Sequence, residues 1–194
     1  MINTKNSLFV VICFTLTFVT SACASENTQL SKIINDSLNN KSVTEHRTQL
    51  HKIVKWPDSC NKTFTYPSSG VVFYRINSDS YILQVSCTYG AYQGMSLFYK
   101  VKTPSGTVRH EALKLPKSYS DSKGATEIWG NVLTNSTAKS FSVLNLYSGF
   151  GHCGKLTTYD LTNTMPKIIS QRSQEDCEKS LSVKDPEKWP LVKK

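Results

Sequence analysis

The sequence predicts a mainly β fold: an antiparallel sandwich or barrel-like domain behind a short N-terminal helical segment, stapled by disulfides. Three observations carry this. Eight short runs rich in β-branched and aromatic residues follow Cys60, a helical apolar period is confined to the stretch before Pro57, and four cysteines lie downstream of an export-type leader.

The leader comes first. Lys5 precedes an apolar run from Leu8 to Val19 that ends in Thr20-Ser21-Ala22-Cys23-Ala24, the pattern of a secretory signal over residues 1–24. The run of about 12 apolar residues is too short for a membrane span, which needs about 20. Ala22-Cys23-Ala24 fits the A-x-A cleavage rule, so a soluble chain beginning at Ser25 is expected. The alternative is lipidation at Cys23, against which Thr20 stands where a lipoprotein signal ordinarily carries an aliphatic residue. The expected location is therefore periplasmic or secreted, with a membrane-anchored lipoprotein as the alternative.

Residues 25–56 read as a helical segment. Leu30, Ile33, Ile34 and Leu38 fall at helical spacing, and Leu50, Ile53 and Val54 repeat it after an Asn39-Asn40 break. Pro57 and Asp58 end the pattern. One or two short amphipathic helices follow, which either pack on the sheet or tether the domain to the envelope. The β-rich domain occupies 57–194. Its expected strands are Val71 to Ile76, Tyr81 to Tyr89, Ser96 to Val101, Thr107 to Leu115, Glu127 to Thr134, Ser140 to Tyr147, Lys155 to Leu161 and Lys167 to Gln171. Turn chemistry separates them at Asn77-Ser78-Asp79, Pro104-Ser105-Gly106, Ser122-Lys123-Gly124, Asn135-Ser136 and Asn163-Thr164. No internal repeat or low-complexity tract interrupts the domain.

Cys60, Cys87, Cys153 and Cys177 permit three pairings, which spacing alone does not decide. Chain order favours Cys60 with Cys87 and Cys153 with Cys177, because each bond then joins an irregular segment to a neighbouring strand without crossing the other. No C-x-x-C pair suggests zinc. Cys13 lies within the leader.

Hydrophobic residues at 39% and charged residues at 19% give a globular rather than a disordered balance. The net charge is +9, and loss of Lys5 with the leader leaves +8, which favours anionic partners. The basic residues are scattered, as in Lys100, Lys102, Arg109, Lys114, Lys117 and Lys123. With export, this argues against nucleic acid; a membrane is expected as a partner only through lipidated Cys23.

Gly149-Phe150-Gly151-His152-Cys153-Gly154 matches G-x-G-x-x-G letter for letter. A dinucleotide site needs a helix to follow, whereas Lys155-Leu156-Thr157-Thr158-Tyr159 reads as a strand. The glycines are better read as serving a tight connection between strands. His152 beside Cys153 is not a catalytic pair, since an oxidised cysteine cannot be a nucleophile. Gly90-Ala91-Tyr92-Gln93-Gly94 is the second compact glycine-bounded segment, and Tyr89 and Tyr92 are amphipathic aromatics suited to stacking on a glycan or a protein partner. Tyr89, Tyr92, Gln93, Phe150 and His152 form the candidate binding surface. The plainer reading is an ordinary hairpin with one tyrosine in the core. No nucleophile elbow, H-E-x-x-H motif or P-loop occurs. Asp58, Glu111, Glu127 and Asp160 are the acids available to a hydrolase, with nothing to select a pair. The sequence nominates no catalytic residue, metal ligand or cofactor.

Cys87-x-x-Gly90-Ala91-Tyr92, Gly149-x-Gly151-x-Cys153-Gly154, Cys177 and the closing Trp189-Pro190 together resemble the bacterial exported family catalogued as domain of unknown function 1176, from about Trp56 to the C-terminus. The resemblance implies a bacterial periplasmic or envelope protein with paired cysteines, and no activity. It leads to an acid being expected where this chain has His152, so a role belonging to that acid does not carry over. The helical segment is expected to lie outside the resemblance.

Export, disulfides, aromatic loops and the lack of a catalytic signature lead to the expectation of a non-enzymatic envelope binding module, one form of which is an inhibitor or partner of an envelope enzyme. Its partner would be an envelope protein or an anionic envelope polymer. The rival readings are an envelope glycan hydrolase, whose mark would be a cleft with two facing carboxylates about 5–10 Å apart, and a structural lipoprotein.

Overall fold

The structure, a computed structural model, describes residues 28–36, 44–62, 70–90, 93–103, 108–135, 139–149, 152–162, 165–178 and 185–194. The segment 1–24 expected to be a leader, with Cys13 and Cys23, Leu38 and the Asn39-Asn40 break, Tyr92 and Phe150, and the turns at 104–106 and 163–164 lie outside the described residues.

The helical period is realised as α1 (residues 28–36) and α2 (Thr44–Val54). α1 buries Leu30, Ile33 and Ile34, and α2 buries Leu50 and Val54, the positions that the spacing nominates. The Asp36 carboxylate lies 3.5 Å from the buried His46 imidazole and links the two helices. Lys55, at φ 56°, takes the left-handed conformation that ends α2. Asp58 does not simply stop the helical segment; it begins a third helix, α3 (Asp58–Lys62), where its carboxylate suits the first turn.

Among the described residues nine strands follow: β1 (Val71–Arg75), β2 (Ser80–Tyr89), β3 (Gly94–Lys102), β4 (Arg109–Ala112), β5 (Glu127–Trp129), β6 (Asn131–Asn135), β7 (Ser140–Leu146), β8 (Gly154–Asp160) and β9 (Lys167–Gln174). All pairings are antiparallel. One sheet runs β1-β2-β3-β4, with β5 pairing another part of the long β3; the other runs β6-β7-β8-β9. The two sheets stay separate, so the sandwich alternative holds and the barrel does not.

The first sheet is the middle layer of three. On β2, Leu83, Val85 and Cys87 pack with α1 and α2, while Ile82, facing the opposite way, joins the second sheet. The helices are therefore not a tether; they complete a core that also holds Trp56, Val71, Phe73 and Val101. Between the sheets, the ring of Phe141 on β7 stacks on Tyr74 of β1, Phe98 of β3 and Tyr159 of β8, with centroids 5.5, 5.3 and 5.1 Å away. Such pairs contribute about 0.5–1.5 kcal/mol each beyond area burial.

The disulfides form as chain order favours, Cys60 with Cys87 and Cys153 with Cys177. The first ties α3 to β2 and so fixes the helical layer to the middle sheet. Buried Arg47 reinforces the same corner: it donates to the Cys60 carbonyl and to Asn61 Oδ1, each at 3.1 Å, and lies over the Trp56 ring. Burial lowers its pKa to about 10, which leaves it charged at neutral pH.

One expected strand is two. The run from Glu127 to Thr134 divides at Gly130, with β5 in the first sheet and β6 in the second. Gly130 has φ 135°, and a Cβ there would sit 2.7 Å from Val143 Cγ1 and 2.8 Å from the Leu144 carbonyl oxygen. Its N–H donates to the Gly94 carbonyl at 2.9 Å. Only glycine permits this conformation and this approach, so the residue sets where the chain leaves one sheet for the other.

At the far edge, Ser173 N–H donates to the Pro190 carbonyl and Val192 N–H to the Gln171 carbonyl, so the C-terminal segment lies along β9. Trp189 is fully buried, and its carbonyl accepts from Arg172 Nη1 at 2.7 Å.

Candidate functional site

The hairpins that carry the two glycine-bounded motifs meet. β2 and β3 form a hairpin whose tip closes with Gly90 N–H donating to the Gln93 carbonyl at 2.7 Å. β7 and β8 form another, with Leu146 opposite Gly154 and Tyr147 N–H donating to the Cys153 carbonyl. Gln93 Oε1 accepts from Leu146 N–H at 2.8 Å across 53 residues of sequence, which fastens one hairpin to the other. Gly154 carries the special backbone of its motif: at φ 155° it lies so close to the Asn145 carbonyl that a Cβ would collide with it. Gly149 is not among the positive-φ residues.

Of the candidate surface, Gln93 therefore has a structural duty through its Oε1. Tyr89 pairs through its backbone with Gly94. His152 is half-buried beside Cys153, whose bond to Cys177 anchors the hairpin tip. Tyr92 and Phe150 lie outside the described residues.

Beside this junction, where the chain leaves β5 for β6, the sheets leave a cleft of about 230 Å³. Ile128 and Trp129 of β5, Val143, Asn145 and Tyr147 at and just beyond β7, and Lys155, Thr157 and Tyr159 of β8 line it, with Lys117 and Glu127 at its mouth. Alternation explains the set: 143, 145 and 147 on one strand and 155, 157 and 159 on its neighbour fall on one face, which is the inner face of the second sheet. Deeper in, that face is filled by Phe141 and Tyr159; here it opens to solvent. Trp129 and Tyr147 are each 47% exposed, whereas Trp56 and Trp189 are buried.

The cleft is held by specific bonds. Asn145 Nδ2 donates to the Trp129 carbonyl at 3.1 Å and couples β7 to β5. Tyr159 Oη donates to the Pro116 carbonyl at 2.8 Å, and burial, with Asp121 nearby, raises its pKa so that it stays neutral. Gln171 Nε2 donates to the Lys117 carbonyl and to Thr157 Oγ1. Asp121 closes the adjoining loop by accepting from the backbone N–H groups of Lys117, Gly124 and Lys123; those bonds lower its pKa.

Electrostatically the described lining of the cleft presents the ammonium groups of Lys117 and Lys155 and the carboxylate of Glu127. The ion pairs seen among the described residues, His46–Asp36, His51–Asp58, Lys100–Glu111 and Lys188–Asp185, draw on none of its charged groups. Of the acids that the sequence offers a hydrolase, only Glu127 is here. Asp58 lies beside His51, Glu111 pairs with Lys100, and Asp160 accepts from Thr162. Two facing carboxylates are not brought together among the described residues lining the cleft. Nor do three His, Cys, Asp or Glu side chains gather as metal ligands among the described residues.

Sequence reasoning missed Trp129, Tyr147 and Lys155 as site residues. The available signal was a tryptophan next to a glycine inside a strand-like run, where a large side chain ends one strand and a bend follows.

Hollows also lie elsewhere on the described surface. A polar pocket of about 130 Å³ includes Gln84, Ser86, Thr88 and Ser96 near Gly130. A more open depression of about 470 Å³ lies between Ser118–Ser120 and the C-terminal Val192–Lys194.

The two disulfides indicate an oxidising, extracytoplasmic environment, and no helix among the described residues is long and apolar enough to cross a membrane. No curated protein and no solved structure shows significant similarity to the chain. The family model described as protein of unknown function DUF1176 matches residues 21–192, so the match takes in the helical segment that the sequence reading placed outside it. The chain belongs to the DUF1176 family.

Proposed function

We propose that the protein is a non-enzymatic binding module of the bacterial envelope, released to the periplasm as a soluble chain beginning at Ser25, and that it engages an anionic envelope polymer through the end of the sandwich where the two hairpins and the cleft adjoin. The observation that carries this reading is the cleft, in which Trp129 and Tyr147 stand half-exposed beside Lys117 and Lys155. Exposed aromatics next to ammonium groups suit recognition of a negatively charged partner. The net charge of +8 left once Lys5 goes with residues 1–24 acts in the same direction at long range.

The test is co-sedimentation of the mature chain with purified cell-wall sacculi, before and after stripping of bound proteins. Retention by stripped sacculi at low salt, lost at high salt and weakened by Lys155→Gln, supports the polymer reading. Retention only before stripping assigns an acidic envelope protein instead. No retention by either overturns the binding reading, and release of sugar from the sacculi by the chain overturns the non-enzymatic one. Mass spectrometry of the chain recovered from cells should show an unmodified Ser25 N-terminus; an acylated Cys23 at the N-terminus would make it a lipoprotein.

A further inference from the structure

We infer that the cleft between β5, β7 and β8 is a subsite for one pyranose ring bearing a single anionic substituent. This rests on the binding-module reading and narrows it to a ligand class. Size comes first. At about 230 Å³ the cleft falls below the range of about 300–1,000 Å³ that encloses a drug-sized ligand, so it suits one ring of a polymer rather than an extended segment.

Chemistry narrows the class further. Trp129 and Tyr147, both 47% exposed, supply flat apolar area at the mouth, and Ile128 and Val143 supply an apolar floor. A purely apolar guest would strip water from Lys155, Glu127 and Asn145 without giving them partners, which costs too much. A bare small anion would satisfy a lysine and leave the aromatic area unused. A ring carrying several anionic groups would meet Glu127, whose carboxylate only accepts hydrogen bonds. One anionic group for the ammonium groups of Lys117 and Lys155, hydroxyl donors for Glu127, and a ring face for an aromatic side chain satisfy all the lining groups at once. A substituted sugar ring carries these three features together. Thr157 Oγ1, which accepts from Gln171, keeps its own proton to donate.

Trp129 reports on occupancy, because the other two tryptophans of the chain, Trp56 and Trp189, are buried at 2% and 0% exposure. The experiment is a titration of the mature protein's tryptophan fluorescence with glucuronic acid, glucose 6-phosphate, glucose, acetate and a short glutamate peptide, repeated by calorimetry on Trp129→Phe. Saturable binding of glucuronic acid or glucose 6-phosphate, with glucose and acetate weaker by about tenfold or more, supports the assignment, and which of the two anions binds identifies the substituent. Lys155→Gln should bring the charged sugar down to the level of glucose, and Tyr147→Ala should weaken both. Equal binding of acetate, equal binding of glucose, or tighter binding of the peptide each overturns it. Silence towards all five probes also overturns it, and if stripped sacculi still retain the protein, the binding module stands while this subsite does not.

Discussion

Replacing Gly130 with alanine tests the account of how the chain passes between the sheets. The added methyl group would sit 2.7 Å from Val143 Cγ1, 2.8 Å from the Leu144 carbonyl oxygen and 3.1 Å from its carbon. The carbonyl belongs to the β7 ladder, and Val143 is only 4% exposed in the inter-sheet core, so neither can simply swing away. Holding a non-glycine residue at φ 135° costs about 1–3 kcal/mol, and overpacking costs about 1–3 kcal/mol more. With partial relaxation the sum is about 3 kcal/mol, small enough against a typical domain stability of 5–15 kcal/mol for the variant to fold. For a chain of this size about 2–4 °C of Tm is lost per kcal/mol, so a drop of roughly 6–12 °C is expected in a thermal melt followed by far-UV circular dichroism. Val143→Ala removes the nearest atom, so Gly130→Ala should cost less in that background, by a coupling of about 0.5 kcal/mol or more. A Tm within about 1 °C of the parent, or strict additivity of the two substitutions, would refute the role given to Gly130.

Two further outcomes follow from the loop anchors. Replacing both Cys153 and Cys177 by serine opens a link with a sequence separation of 24, and chain entropy then sets a loss of about 3–4 kcal/mol, seen as a Tm lower by roughly 7–14 °C; an unchanged melt would show that the bond does not constrain the β7–β8 hairpin. The Asp121 carboxylate is held below its ordinary value of 3.8, chiefly by the backbone N–H groups of Lys117 and Gly124, so its contribution is full above that value and fades as pH falls through the lowered folded value, because the unfolded chain binds the proton first. The Tm gap between the parent and Asp121→Ala should accordingly hold from pH 7 to about 5 and narrow below about 3.8; a gap that persists to pH 2 would contradict the assignment.

Local physics was legible in the residues one stretch at a time. Leu30, Ile33 and Ile34 announced a helix face, and the runs around Leu83, Leu97, Val143 and Thr157 announced strands, because side-chain periodicity is a property of a single element. The disulfide pairing was legible for a related reason: each bond joins segments that are neighbours in chain order. Tertiary structure alone decided three things. Whether the helices tether or pack depended on a middle sheet with two faces to cover, and alternation along β2 does not say what will cover each. The division at Gly130 depended on a close approach to Val143 and Leu144, which no local pattern records. The cleft depended on both, since Trp129 and Lys155 come from different sheets and meet only where the layers part. A sequence specifies the faces of its strands; which faces oppose one another, and where they fail to close, is set by long-range packing.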